Sequence, residues 1–182
     1  MNKRLSYVFI FCLFFLSSCK LPLSTDTSNQ TPLSLTLAFK QASFDSFEDV
    51  TALITLTNIG NEDILVNGKM RFLPIKRPAE ALQGLILISD STGQPIYLHA
   101  HIDYEFPNEN QLVVLAPGQS LKKTFTLHGV GFSPHYFKNN ETYTVAVAYQ
   151  NSFEVTKVID TKEIKSWVGK IQSNSDTFEI VP

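Results

Sequence analysis

The feature that most restricts the fold of this chain is an alternation of apolar and polar side chains, repeated in short segments. In segment 143–149, Tyr143, Val145 and Val147 alternate with smaller or polar residues. Successive side chains of a β-strand point to opposite faces, so this period predicts strands buried on one face. Turn signals recur about every 8–12 residues without a long helical period, as is typical of β-sandwiches. The sequence therefore predicts an all-β fold, an antiparallel β-sandwich over residues 33–182.

The alternation and the turn signals together predict about nine to eleven strands. Segment 153–160 is predicted to pair with 143–149, residues 42–49 to form an acidic loop, and 162–167 to form a linker or one helical turn. The predicted strands are residues 33–39, 50–58, 64–66, 85–89, 96–105, 112–115, 121–127, 143–149, 153–160 and 177–181.

The dipeptide Asn67-Gly68 is a strong hairpin signal, because a type I′ turn needs a positive φ at both positions. It predicts that residues 69–73 return beside 64–66. A single irregular strand with a bulge at Gly68 is the alternative.

The first eighteen residues have the pattern of a secretory signal. Lys3 and Arg4 precede an apolar run over residues 5–16, and two serines follow it. A membrane-spanning helix needs about 20 apolar residues, whereas signals use roughly 7–15 after a basic start. The segment is therefore predicted to direct export and to be removed.

Leu16-Ser17-Ser18-Cys19 resembles the bacterial lipobox, in which a large aliphatic and two small residues precede a lipid-modified cysteine. The resemblance implies cleavage before Cys19, a diacylglycerol on its thiol and often an acyl chain on the new amine. Two or three acyl chains would hold the protein firmly on a bilayer. Lys20 in place of Asp favours, by the same resemblance, the outer membrane facing the periplasm. A Gram-positive host would place the protein on the outer face of the cell membrane.

An ordinary secretory signal that happens to contain two cysteines is the alternative to the lipobox. Residues 19–32 are rich in Ser, Thr and Pro without hydrophobic periodicity, which predicts a lipidated, flexible tether.

Cleavage would leave 164 of the 182 residues, with 13 of the 15 basic side chains against 17 acidic ones. No cysteine follows Cys19, so a disulfide is not expected. The acidic balance and the lack of a basic run argue against nucleic acid as a partner.

Two segments resemble parts of bacterial immunoglobulin-like domains. Residues 115–120 read Leu-Ala-Pro-Gly-Gln-Ser, and 143–149 read Tyr-Thr-Val-Ala-Val-Ala-Tyr. Residues 167–169 with 173–174 resemble the closing segment of similar exported domains. The resemblance implies a tyrosine corner at Tyr143 and places Val145 where antibody domains have their second disulfide cysteine. Similar domains precede the catalytic domain of some secreted metalloendopeptidases, but no His-Glu-x-x-His occurs here, so that activity is not implied.

His99, His101 and Asp103 alternate along one predicted strand and would project from one face. Two imidazoles and a carboxylate are suitable ligands for Zn²⁺ or Cu²⁺. The spacing also resembles the start of the metallo-β-lactamase motif, although Tyr104 stands where that motif continues with His. The alternative is the solvated face of a strand.

Two loops carry weaker signals. Asp45, Glu48 and Asp49 would suit a weak Ca²⁺ loop, although solvated acids are the simpler interpretation. Aromatic residues of the loop 129–140 are predicted to pack on the rim of the sandwich, or to form a contact patch if exposed. His128 and His135 are interpreted as ordinary polar surface.

No nucleophile, base and orienting group coincide in any motif, and the G-x-S-x-G elbow of serine hydrolases is missing. The sequence therefore predicts a non-enzymatic module, attached to the bilayer through Cys19, that binds another protein of the cell envelope. A protease inhibitor is one alternative. A metal-binding envelope protein that uses His99, His101 and Asp103 is the other.

Overall fold

The computed structural model describes residues 31–73, 83–97 and 109–181. The predictions for the signal sequence, for lipidated Cys19 and for the metal ligands His99, His101 and Asp103 lie outside these residues, as does most of the predicted strand 96–105. Within the described ranges, no helix is long and apolar enough to cross a membrane.

The described part of the chain is all-β, and its only helical elements are three 3-10 turns, Phe47–Asp49, Glu109–Gln111 and Pro134–Tyr136. The strands are β1 Leu33–Phe39, β2 Ser43–Phe44, β3 Thr51–Asn58, β4 Ile64–Asn67, β5 Phe72–Leu73, β6 Gln83–Ser89, β7 Pro95–Ile96, β8 Leu112–Leu115, β9 Ser120–Thr126, β10 Thr142–Asn151, β11 Thr156–Ile159, β12 Lys162–Lys165, β13 Gly169–Gln172 and β14 Asp176–Ile180.

The strands form two main sheets and two smaller pairs. The first sheet has the order β1-β3-β9, and the second has the order β2-β14-β10-β6-β5, with β13 beside β10 and β7 beside β6. The smaller pairs are β11-β12 and β4-β8. Neighbouring strands are antiparallel except that β2 is parallel to β14 and β5 is parallel to β6.

One hydrophobic core joins residues of both main sheets, as in a β-sandwich. The predicted alternation is confirmed for β1 and β3, where every second side chain is buried, whereas β10 is buried on both faces from Val145 to Tyr149. Each buried aliphatic side chain contributes about 1.5–3 kcal/mol relative to exposure. The buried series are Leu33, Leu35 and Leu37 of β1, Ala52, Ile54 and Leu56 of β3, and Tyr143, Val145, Val147 and Tyr149 of β10.

The predicted hairpin over residues 64–73 is wrong, and so is the alternative of one irregular strand. β4 pairs with β8, while β5 leaves that pair and lies parallel to β6. The turn is not of type I′: neither Asn67 nor Gly68 has a positive φ, and Met70 has φ 40°. The Asn67 Oδ1 accepts the Lys69 N–H at 3.0 Å, which holds the turn from the side chain. All four β4 side chains are buried, because β4 packs against β12 as well as pairing with β8.

The predicted pairing of 153–160 with 143–149 is also wrong. β11 pairs with β12, so residues 162–167 begin with a strand instead of a linker or helical turn. Asp160 and Thr161 have φ 48° and 70°, the signs that a type I′ turn needs, without glycine. The neighbours of β10 are β6, β13 and β14.

The predicted acidic loop 42–49 contains strand β2 and a 3-10 turn. Phe44 and Phe47 are 1% and 5% exposed, so this segment belongs to the core although its charged side chains face solvent. The rim packing predicted for the loop 129–140 is confirmed: Phe132 and Phe137 are buried, and they contact each other edge to face at 5.8 Å between ring centroids.

The sandwich closes at one end with an aromatic cluster, called the aromatic end below: Phe39, Phe44, Phe137, Tyr143 and Phe178. Phe178 lies at its centre, with ring centroids 5.0 Å from Phe39 and 5.3 Å from Tyr143. Such ring pairs add about 0.5–1.5 kcal/mol each beyond the buried area.

Candidate binding groove

A groove of about 600 Å³ lies at the other end of the sandwich, between the β3–β4 loop and the β11–β12 hairpin. Loop residues 60–64 form one wall, strand β12 forms the other, and Trp167 and Pro32 complete the lining. β1 begins at this end, since Leu33 pairs with Asn58, and it runs to Phe39 at the aromatic end. Pro32 immediately precedes β1, so the groove lies at the amino-terminal end of that strand.

The loop wall is held by the side chain of Asn58, which is completely buried. Its Nδ2 donates to the carbonyls of Glu62 at 2.7 Å and Leu115 at 2.8 Å, and its Oδ1 accepts the Gly60 N–H at 2.9 Å. Because one side chain satisfies three backbone groups, the loop is tied both to itself and to β8.

The hairpin wall is held by Asn151, the last residue of β10, which is 1% exposed. Its Nδ2 donates to the Trp167 carbonyl at 2.6 Å, and its Oδ1 accepts the Phe153 N–H at 3.0 Å. Ser166 extends this network, because its Oγ accepts the Val155 N–H at 2.8 Å. The base of the hairpin is therefore fixed to the main sheet by buried polar groups.

Trp167 is partly buried and lies against Tyr149, with 6.0 Å between the ring centroids and 24° between the ring planes. Gly169 has φ 149°, and a Cβ there would lie 2.7 Å from the indole ring, so glycine lets the chain pass close to Trp167. The Tyr149 hydroxyl accepts the Asn67 N–H at 3.1 Å, and burial raises the pKa of Tyr149 to about 12.

Charges of both signs border the groove. Lys162 of the hairpin pairs with Asp63 of the loop at 2.8 Å, which links the two walls. Lys165 pairs with Glu154 at 2.9 Å, and this hydrogen bond raises the pKa of Lys165. Glu163 lies exposed beside them. Most lining side chains are charged or polar, and Pro32, Ile64 and Trp167 add apolar surface, a combination that suits an amphiphilic ligand such as a polypeptide segment.

The Ca²⁺ alternative for Asp45, Glu48 and Asp49 gains no support from the geometry. The Glu48 carboxylate accepts the Ser46 hydroxyl, and this bond lowers the pKa of Glu48. Across residues 31–73, 83–97 and 109–181, no three His, Cys, Asp or Glu side chains are grouped closely enough to hold a metal ion.

One contact between potentially catalytic residues was not anticipated from the sequence. The Ser133 Oγ lies 2.7 Å from His135 Nδ1, and the imidazole lies 3.9 Å from the Tyr136 ring between centroids. In the described part of the chain, no carboxylate bonds to this imidazole, so the group that orients histidine in a catalytic triad is not found. The contact spans two residues of one exposed turn and is interpreted as local.

Comparison with known proteins adds no family. No protein-family model matches the sequence, and no curated protein matches it significantly.

The groove was not predicted from the sequence, because Asn58 and Asn151 resemble ordinary turn residues there. The two buried asparagines therefore carry the geometric argument for this site.

Proposed function

We propose that the protein is a membrane-anchored lipoprotein whose exported domain is an immunoglobulin-like sandwich that binds another component of the cell envelope. The anchor rests on the lipobox that ends at Cys19, and the binding role rests on the groove beside Pro32. The module is proposed to act by binding and not by catalysis.

Strand order supports the immunoglobulin-like assignment. Immunoglobulin sandwiches place their strands A, B and E in one sheet and C, F and G in the other. Here β1, β3 and β9 correspond to A, B and E, and β6, β10 and β14 correspond to C, F and G. The short strand β2 is parallel to β14, so the chain passes from the first sheet to the second between β1 and β3.

A tyrosine corner further supports it. The Tyr143 hydroxyl accepts the Lys138 N–H at 2.6 Å, a backbone group five residues upstream, and donates to Glu141 at 3.0 Å. Tyr143 is two residues before Val145, which is completely buried. This is the arrangement expected near the start of strand F, with valine in the place of the disulfide cysteine.

The groove is the single observation that carries the binding role. Its volume falls within the range of about 300–1,000 Å³ that is typical of binding sites. Its walls are fixed by Asn58 and Asn151, so the site is formed before any ligand arrives.

Site-specific photocrosslinking in the native envelope tests this role. A photoreactive residue is placed at Asn61 or Glu163 in the groove walls, and at Thr92 as an exposed control on another turn. We expect one discrete adduct from both groove positions and none from Thr92. Identical adducts from all three positions, or none from the groove, would reject the groove as the binding site.

The anchor is tested separately. Mass spectrometry of the wild type should find a mature amino terminus at Cys19 that carries diacylglycerol, and Cys19→Ala should leave the membrane fraction. A Cys19→Ala protein that remains in the membrane fraction unchanged would contradict the lipobox.

Calorimetric titration with Zn²⁺ tests the metal alternative. Binding heat in the wild type that is lost in the His99→Ala/His101→Ala double variant would support it.

A further inference from the structure

The sheet of β1, β3 and β9 has two edges that are built differently. At the β1 edge, the Leu37 N–H donates to Asn174 Oδ1 at 3.0 Å, and the Leu37 carbonyl accepts Asn174 Nδ2 at 2.9 Å. The Phe39 N–H donates to Asp176 Oδ2 at 2.9 Å. These side chains replace a neighbouring strand, so the β1 edge offers no ladder to another chain.

Among the described residues, no side chain covers the β9 edge in this way. The Leu127 N–H donates to the Val50 carbonyl at 3.2 Å, so the odd-numbered residues of β9 are the ones whose backbone groups point towards β3. By the alternation of an antiparallel ladder, the N–H and C=O groups of Ser120, Lys122 and Thr124 point away from β3. Among the residues that the structure describes, no strand pairs with this side of β9, and all three side chains are exposed.

The charge of the β9 edge is one-sided. Lys122 lies opposite Thr55 on the solvent face, and Lys123 lies opposite Ile54 on the core-facing side, both exposed. No carboxylate within the described ranges pairs with either lysine. A second copy of β9 centred on this position would place lysine against lysine, so the edge opposes self-association.

We propose that the β9 edge binds an extended segment of another protein that carries two adjacent acidic residues, by addition of a strand to this sheet. Main-chain hydrogen bonds to Ser120, Lys122 and Thr124 supply affinity, and the lysines supply selectivity. Adjacent residues of a strand point to opposite faces, as Lys122 and Lys123 do, so each acidic side chain meets one lysine. The same lysines that reject a second copy select the acidic segment. This inference does not depend on the groove.

Binding of capped eight-residue peptides to the full chain tests the proposal. The peptides alternate Thr and Val around a central Glu-Glu, Gln-Gln or Lys-Lys pair. We expect the Glu-Glu peptide to bind about fivefold more tightly than the Gln-Gln peptide at low salt, and the Lys-Lys peptide to bind most weakly. In hydrogen exchange, the Glu-Glu peptide should protect the amides of Ser120, Lys122 and Thr124, and leave the Leu37 amide unchanged.

Two matched controls make the test specific. Thr124→Pro removes an outward N–H without removing a β3–β9 hydrogen bond, which edge strands tolerate, and should weaken binding at unchanged thermal stability. Glu-Glu peptides that are N-methylated on alternate residues should separate into one set that binds and one that does not, which tests strand pairing without any change to the protein. Lys122→Glu/Lys123→Glu should reverse the preference towards the Lys-Lys peptide.

Three results would overturn the proposal. The first is Glu-Glu binding that the Thr124→Pro variant leaves unchanged. The second is equal binding of the Glu-Glu and Gln-Gln peptides. The third is a protected β9 edge in the free protein caused by pairing of two copies of the chain, detected as a dimer in sedimentation.

Discussion

The two ends of the sandwich are closed by different chemistry. At the aromatic end, Phe178 contacts four other rings, of which only Tyr143 carries a polar atom. At the groove end, Asn58 and Asn151 are buried; Asn58 bonds to three backbone groups, and Asn151 bonds to two backbone groups and the Ser166 hydroxyl. Aromatic rings contribute mainly through the large apolar area that they bury, whereas a buried amide is stabilising only if its partners are all in place.

The two ends therefore contribute differently: one mainly to the free energy of unfolding, the other mainly to the shape of the groove. The aromatic end buries apolar area and so contributes mainly free energy of unfolding. The groove end uses polar groups whose net contribution is smaller but whose geometry is specific, which is what a preformed binding site requires. Variants at the aromatic end should therefore mainly lower the free energy of unfolding, whereas variants at the groove end should also loosen one local segment.

The largest effect is expected at the aromatic end. Phe178→Ala removes the central ring, and we expect a loss of about 3–5 kcal/mol in the free energy of unfolding, measured by urea denaturation. Phe153→Ala is the control, because Phe153 is 49% exposed and should change stability by less than about 1 kcal/mol. Equal losses in the two variants would contradict the role given to the aromatic end.

The next effect should be local to the groove. Asn58→Ala removes the donor to the Glu62 and Leu115 carbonyls, while the Gly60 N–H keeps the Pro32 carbonyl at 3.1 Å, and we expect a loss of about 2–4 kcal/mol in the free energy of unfolding. Hydrogen exchange should accelerate in residues 59–63 more than in β14. The exposed neighbour Asn61→Ala should change neither quantity, and uniform acceleration over the whole chain would show that Asn58 does not hold the loop.

Alkaline pH should lower the free energy of unfolding through Tyr149, which lies at the groove end. Burial raises the pKa of Tyr149 to about 12 from its ordinary value of 10.0, so the folded state keeps a proton that the unfolded state releases. This stabilisation is complete below pH 10 and is lost as the pH rises to about 12, which amounts to about 2–3 kcal/mol. Tyr149→Phe has no such proton, so the stability difference between wild type and variant should shrink over this range. A constant difference from pH 8 to pH 12 would contradict the assignment.

The smallest effect is expected for the ion pair that links the groove walls. Asp63 and Lys162 lie 2.8 Å apart, but the lysine side chain is 62% exposed. A double-mutant cycle with Asp63→Asn and Lys162→Gln should give a coupling below about 1 kcal/mol that falls with added salt. A salt-independent coupling above 2 kcal/mol, on the scale of a buried pair, would refute this expectation.

The strands that were predicted correctly are those in which the local sequence alone shows which side chains are buried and which are exposed. β1 carries an apolar residue at every second position from Leu33, so its buried face follows from local sequence. β12 has only Ile164 as an apolar residue between charged ones, and its strand character depends on pairing with β11 and on the burial of that single side chain.

Pairing over long distances was not predictable from local signals. Asn67-Gly68 favours a hairpin, but β4 is buried throughout and pairs with β8, 45 or more residues later. The groove was missed for a related reason: asparagine is common in turns, and only the folded chain shows that Asn58 and Asn151 are buried with all their hydrogen bonds made.

The parallel contact between β2 and β14 has a kinetic consequence. It joins Ser43 and Phe44 to Glu179 and Ile180, nearly the whole length of the domain apart. Phe44 cannot reach its final partner until the closing strand of the domain is available, so this contact depends on the two most distant parts of the domain meeting. Folding is therefore expected to finish late and slowly, as contacts between distant parts of a chain require, and the unfinished intermediate would display aromatic surface that a chaperone can recognise.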